Sequence, residues 1–247
     1  MESPMDLVIL AGGPGKRLGA LTRKKHKGVL KFSGKPMLVR LLNQWLKINP
    51  IETIWVVTGY RAADVENLLH LKYSKLLASS KIRITRGSSE EVGTLRRLAF
   101  ALSEGAGEMS GCIVIGVDVL ISVRDARAFF KRARKAKSEA VLAVSYNIAQ
   151  ATTHPALRTK GARVIEYLTD KQQRAHPLKG PWLRDTGVRY FSKRTCVRIL
   201  NVAAQYAYIG DFLASPKTKK QFVRIYTLTR PWIHIATSSD FNLKVPR

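Results

Sequence analysis

Cysteine is almost absent from this 247-residue chain, which has only Cys112 in an apolar stretch and Cys196 far downstream, in no metal or disulfide spacing. A disulfide-stapled scaffold and a Cys-rich zinc module are thereby excluded, and the expected setting is a reducing, cytoplasmic one. No apolar run approaches the ~18 residues of a membrane-spanning helix. The segment Met1 to Asp6 is acidic and the apolar run after it is short, unlike a signal peptide. Neither G-x-G-x-x-G nor G-x-x-x-x-G-K-[ST] occurs, so the dinucleotide fingerprint and the P-loop both fall away. Aromatic residues are scattered, without the clusters on which RNA-binding modules stack bases. Acid is scarcest of all: 17 Asp and Glu stand against 43 Lys and Arg, a net charge of +26.

Hydrophobic residues are plentiful at 45%, enough for the core of one large domain. The clearest stretch runs from Leu7 to Leu30. A buried strand, Leu7-Val8-Ile9-Leu10, stops abruptly in Ala11-Gly12-Gly13-Pro14-Gly15-Lys16-Arg17-Leu18. Glycines let backbone N–H groups approach oxyanions closely, while Lys16 and Arg17 neutralise them, so this is a candidate phosphate-binding loop. Between Lys16 and Lys35 lie eight basic residues and no acidic one.

Further on, the pattern alternates. Residues 36–48 read as an amphipathic helix, Glu52 to Thr58 as a strand and residues 62–71 as a helix. Ile82 to Ile84 reads as a strand, Gly93-Thr94 opens a helix that ends near Glu104, and Cys112 to Ile115 is a strand closed by Gly116-Val117-Asp118. Such alternation predicts an α/β fold with a mostly parallel, Rossmann-like sheet flanked by helices, and ligands at the carboxyl ends of its strands. The glycine loop, Gly93-Thr94 and Asp118 all fall there. Later strands are expected at residues 139–146, 163–167, 187–191 and 223–228, with a helix at 193–204 and a polar stretch over 169–179. One domain covers 1–247, with a regular core over 1–145 and a smaller substrate-binding part over 146–247. No repeat or linker interrupts it.

On the helix expected over 123–137, Arg124, Arg127, Lys131, Arg134 and Lys135 share one face, opposite Ala126, Phe130 and Ala133. A basic stripe of this kind fits either a polyanion such as RNA or a solvated face in a basic protein.

The string Leu10-Ala11-Gly12-Gly13-x-Gly15-x-Arg17-Leu18, with Thr22, Lys27 and Gly34-Lys35-Pro36-Met37-Leu38, resembles the signature of the nucleotidylyltransferases that act on sugar 1-phosphates. The resemblance is strongest over the first 120 residues. It implies a smaller sugar or acceptor lobe on the sheet and transfer of a nucleoside monophosphate from a nucleoside triphosphate to a phosphorylated acceptor. It places Arg17 and Lys27 on the phosphates, the loop from Leu10 and Ala11 through Gly12, Gly13, Gly15 and Lys16 around the triphosphate, and Gly93-Thr94 at the base. Asp118 would be the strand-end metal ligand, Glu166 and Gly187 with its neighbour Asp185 would face the acceptor, and Mg²⁺ or Mn²⁺ would be the cofactor.

Two departures matter. The closing segment Trp232-Ile233-His234-Ile235-Ala236-Thr237-Ser238-Ser239-Asp240 carries His234 where the family has a second metal carboxylate. A changed metal preference, a substitute carboxylate at Asp185 or Asp240, and weakened catalysis with nucleotide or RNA binding retained are all compatible with it. Asp185 stands where a neutral amide is common; a carboxylate there fits a sugar hydroxyl or an amine-bearing acceptor, and related folds also load nucleotides onto an inositol phosphate or a cofactor precursor, with RNA a further possible acceptor. His154 and His176, each before a proline, read as loop residues without a role, and His26 as a residue that shapes its loop.

Overall fold

A computed structural model describes residues 4–48, 50–87, 93–108, 110–146, 154–175, 182–215, 218 and 223–243. In chain order its strands are β1 (Met5–Leu10), β2 (Lys31–Phe32), β3 (Lys35–Pro36), β4 (Ile51–Thr58), β5 (Ile82–Arg86), β6 (Cys112–Gly116), β7 (Val119–Leu120), β8 (Ala140–Ser145), β9 (Ala156–Lys160), β10 (Arg163–Leu168), β11 (Leu183–Phe191), β12 (Val223–Thr227) and β13 (Ile233–His234). The helices are α1 (Ala20–Lys24), α2 (Met37–Trp45), α3 (Ala62–Ala78), α4 (Thr94–Ser103), α5 (Val123–Arg134), α6 (Asp170–Ala175), α7 (Lys193–Val202) and α8 (Ile209–Ala214). Among the described residues, one sheet runs β5-β4-β1-β6-β11-β8-β12-β10-β9.

Its first half is parallel, as the alternation predicts: β1 pairs in parallel with both β4 and β6, and β4 with β5. These strands are apolar on both faces because both are covered. Leu7 and Ile9 join a core built with α2, α3 and α5, while Val8 and Leu10 join the opposite core with α4, α7 and α8.

The second half turns over. β11 is antiparallel to β6, β8 and β9, and β10 is antiparallel to β9 and β12; only β12 runs parallel to its neighbour β8. Because β11 inserts between β6 and β8, one sheet runs through both parts of the chain. Several elements differ from expectation. β11 begins at Leu183, so Asp185 lies inside the strand rather than ahead of it. β9 and α8 were not anticipated, and α3 extends to Ala78 across a kink at Tyr73. The polar stretch after β10 holds the short helix α6; His176 and the rest of that stretch lie outside the described residues. No helix among the described residues is long and apolar enough to cross a membrane.

Candidate active site

The carboxyl ends of β1, β4 and β6 converge on the glycine loop, which is pinned from below. The Ala11 N–H donates to the Val57 carbonyl at 2.8 Å and the Tyr60 N–H to the Gly12 carbonyl at 3.0 Å. Gly12 has no room for a side chain, since a Cβ there would lie 2.6 Å from Arg97 Nε and 3.0 Å from the Thr58 carbonyl. Gly15 turns the chain with φ +62° into a short 3₁₀ segment, and the Thr22 hydroxyl donates to its carbonyl at 3.1 Å. Lys16 and Arg17 follow, exposed at the rim.

A second short turn presents Lys27. His26 caps it: its Nδ1 accepts from the Gly28 N–H at 3.0 Å, while its own N–H donates to Asp64 at 2.7 Å. Burial, with a smaller push from the neighbouring Lys27, lowers the His26 pKa to about 4, so the ring is neutral and its cap holds at physiological pH. Expected to shape its loop, His26 sets the direction of Lys27.

Lys27 Nζ meets Asp118 Oδ2 at 2.5 Å, and His234 Nε2 approaches the same oxygen at 3.4 Å. Strand pairing brings His234 there: β13 lies antiparallel to β7, just after Asp118, and the Ile235 N–H donates to the Asp118 carbonyl at 2.8 Å. Burial opposes ionisation of Asp118, but the Lys27 charge, with the His234 ring beside it, prevails and holds its carboxyl well below the usual carboxylate range.

Behind His234 stands a residue that sequence reasoning set aside. His154 is buried, its Nε2 lies 2.8 Å from His234 Nδ1, and its ring meets Trp232 edge-on at 4.6 Å. Burial and then His234 depress its pKa to about 3, so it stays neutral. His154 therefore orients His234 and leaves Nε2 of that ring directed at Asp118. No sequence spacing announces this contact, which spans 80 residues.

Around these groups opens a cleft of about 640 Å³, whose lining includes Gly15, Lys16, Arg17, Lys27, Gly93 and Asp118 of the anticipated residues. Leu10 and Ala11 lie buried beneath it. Arg97, Tyr60 and Tyr208 also line it and were not anticipated. Arg97 is one turn into α4, and its NH1 lies 3.8 Å from where a Cβ on Gly13 would be, with Lys27 Nζ at 3.7 Å from the same point. The helical period from Gly93 would have found Arg97. Thr94 is used differently from expectation: its hydroxyl accepts from the Ile209 N–H at 3.0 Å, docking α4 on α8. Gly93, at φ +127°, allows that approach, because a Cβ would fall 2.0 Å from the Ala207 carbonyl.

The expected acceptor residues are not in this cleft's lining. Glu166 faces Arg158 at 3.7 Å. Asp185 is wholly buried and accepts from the Tyr167 hydroxyl at 2.7 Å, from Arg189 Nε at 2.8 Å and from the Gly187 N–H at 2.9 Å. Gly187, at φ +87°, makes the bulge that allows this. Asp240 is likewise engaged, accepting from the Ala236 and Thr237 N–H groups at 2.8 and 2.7 Å as a helix cap. Asp185 is thus committed within the fold, whereas the cap engages Asp240 through Oδ2. Among the described residues no group of three or more His, Cys, Asp or Glu converges as a metal site; Asp118 and His234 form a pair.

A D-glycero-alpha-D-manno-heptose 1-phosphate guanylyltransferase of Aneurinibacillus thermoaerophilus is 22% identical over 218 residues, 88% of this chain and 87% of that one. A choline-phosphate cytidylyltransferase of Haemophilus influenzae is 30% identical over 118 residues, 48% of this chain and 46% of the other. Among solved structures, the inositol-1-phosphate CTP transferase from T. maritima superposes with a TM-score of 0.77 at 16% identity, covering 97% of this chain and 92% of that one. A putative glucose-1-phosphate thymidylyltransferase from Bacillus anthracis reaches 0.78 at 18% identity, over 96% and 92%. These likenesses share the fold. The model of the MobA-like NTP transferase domain matches residues 7–186, nearly three quarters of the sequence, and the chain belongs to that family.

Proposed function

We propose that this nucleotidyltransferase joins a nucleoside monophosphate, taken from a nucleoside triphosphate, to a phosphorylated small molecule, foremost a sugar 1-phosphate. The observation that carries the reading is the Lys27–Asp118 pair at the strand ends, inside a ligand-sized cleft that Lys16, Arg17 and Arg97 also line. An acceptor phosphate oxygen attacks the α-phosphorus, the bond to the bridging oxygen breaks, and pyrophosphate leaves with that electron pair. Both reactants are anions, so the work is positioning and charge neutralisation. Arg17 and Lys16 bind the triphosphate at the rim, the N–H groups of Gly12, Gly13 and Gly15 line its path, and Lys27 meets the charge that builds at the α-phosphate.

The donor set fits one divalent ion. Asp118 is ionised, and His154 fixes the ring of His234 so that its Nε2 is presented beside the same carboxylate. With two protein ligands, substrate phosphate oxygens would complete the shell, and the bound ion would neutralise phosphate charge. An imidazole donor favours Mn²⁺ or another transition ion over Mg²⁺.

The test is pyrophosphate release from the four ribonucleoside triphosphates and dTTP. Each is paired with sugar 1-phosphates, inositol 1-phosphate and phosphocholine, in Mg²⁺ and separately in Mn²⁺. Release with one pair, faster in Mn²⁺, is the expected result. Silence with every sugar 1-phosphate alongside release with another acceptor would overturn the sugar reading, and equal rates in both ions would remove His234 from the metal.

A further inference from the structure

At the pole of the molecule opposite the active site lies a second cavity, of about 550 Å³, lined by Lys47, Ile48, Arg127, Phe130, Lys131, Arg134 and Lys135. Its position follows from the topology. Lys47 and Ile48 come just before β4 begins at Ile51, and Arg134 and Lys135 just before β8 begins at Ala140. β4 is parallel to β1, and β8, twice reversed through β11, runs the same way as β6. The groove therefore sits at the amino ends of the strands, while the cleft at Asp118 sits at their carboxyl ends.

Five of its seven lining residues are cations and none is an acid. Lys47, Arg127, Lys131 and Lys135 are exposed and form no ion pair among the described residues. Arg134 is held over the Phe130 ring, 5.7 Å from its centroid. The acids nearest in sequence are committed elsewhere: Asp125 accepts from the Thr229 and Arg230 N–H groups, and Glu139 pairs with Arg194 and Arg198. The carboxyl-terminal ends of α2 and α5 point into the groove. Two helix ends supply together only about one negative charge, so dipole compensation accounts for a fraction of five cations. Holding them together has a cost in repulsion, and a bound polyanion relieves it.

We propose that this groove is a docking site for duplex nucleic acid, held by its phosphates without base readout. An extended polyanion suits a surface whose excess of +26 reaches far beyond one nucleotide site. The sole aromatic ring in the groove, Phe130, is 2% exposed, so no platform for stacking unpaired bases is available. Arg127, Lys131 and Arg134 follow one face of α5 at helical spacing, a row that matches a phosphate chain rather than a single phosphate.

Fluorescence anisotropy of labelled 20-base-pair RNA and DNA duplexes, at several salt concentrations, tests this on the whole chain. Both duplexes are expected to bind with similar affinity, with log K falling against log salt at a slope of about −4.5, as for some five phosphate contacts. The double variant Arg127→Glu/Lys131→Glu should bind at least about tenfold more weakly and lose about two from the slope. Its control, Lys72→Glu/Lys75→Glu on the exposed side of α3, carries the same net charge and should lie much closer to the unaltered chain. Thermal unfolding of both variants confirms that each is folded. Equal losses in the two double variants would overturn the proposal, since the affinity would then reside in net charge alone. Displacement of the duplex by saturating nucleoside triphosphate would also overturn it, by placing the duplex in the active-site cleft. Binding of tripolyphosphate as tight as that of the duplexes would do so by making the groove a small-anion site.

Discussion

Two aspartates sit near strand ends with a cation on each, and the proposed function gives them opposite roles. Asp118 meets Lys27 at 2.5 Å and Asp185 meets Arg189 at 2.8 Å. Asp185 is sealed: the Tyr167 hydroxyl and the Gly187 amide also donate to it, and it is wholly buried. Burial disfavours the Arg189 charge, yet Asp185 outweighs that and raises the Arg189 pKa; the Tyr167 hydroxyl is pushed well above its ordinary value by burial and by the same carboxylate. Asp118 opens on the cleft, and its partners are a lysine and an imidazole that a substrate or ion can draw away. A buried carboxylate held by three donors holds a fold together, whereas one with a displaceable partner is placed for chemistry.

Breaking each pair should separate the two roles. The largest expected effect is on turnover: Asp118→Asn should lower it roughly 10²–10³-fold, measured by pyrophosphate release, with little change in the unfolding midpoint. Asp185→Ala strands a buried guanidinium and should cost about 3–5 kcal/mol of stability in a denaturant titration, while activity per folded molecule survives. Acid sharpens the contrast further. His26 and His154 are held neutral with folded pKa values near 4 and 3. A depressed value gives stability that is complete above the unfolded value of about 6.5 and is lost as pH falls toward the folded one. Each should cost on the order of 2 kcal/mol at pH 5 relative to pH 7. Urea midpoints of the chain and of His154→Phe at both pH values would show whether His154 contributes its share. The smallest effect is expected at Asp240→Ala, about 1 kcal/mol through loss of a helix cap. Unchanged turnover would leave Asp240 a cap; a deep loss would make it the second metal carboxylate after all.

How legible these sites were in the sequence follows the same division. The parallel half is local: each strand and its helix are neighbours in sequence, and strands covered on both faces read as apolar runs, so β1, β4, β6 and the glycine loop stand out. Lys27 and Asp118 are 91 residues apart, but both lie at positions that the strand-end rule marks. The antiparallel half depends on pairing between distant segments. β11 opens with Leu183-Arg184-Asp185-Thr186, which has no strand-like composition; it is extended because β8 and β9 pair with it and Arg189 neutralises Asp185. Asp185 consequently read as an acceptor ligand, and His154 as a loop residue, because what defines each lies across the sheet. Arg97 lies one turn beyond Gly93-Thr94 on α4, where only the helical period, and no motif, marks it.

The most direct measurement is turnover and unfolding, side by side, for Asp118→Asn and Asp185→Asn. The expected result is a chain that unfolds normally but has lost its pyrophosphate release at position 118, and a destabilised chain that still turns over when folded at position 185. If Asp118→Asn kept its turnover within about threefold of the unaltered chain, the Lys27–Asp118 centre would not be where the transfer occurs.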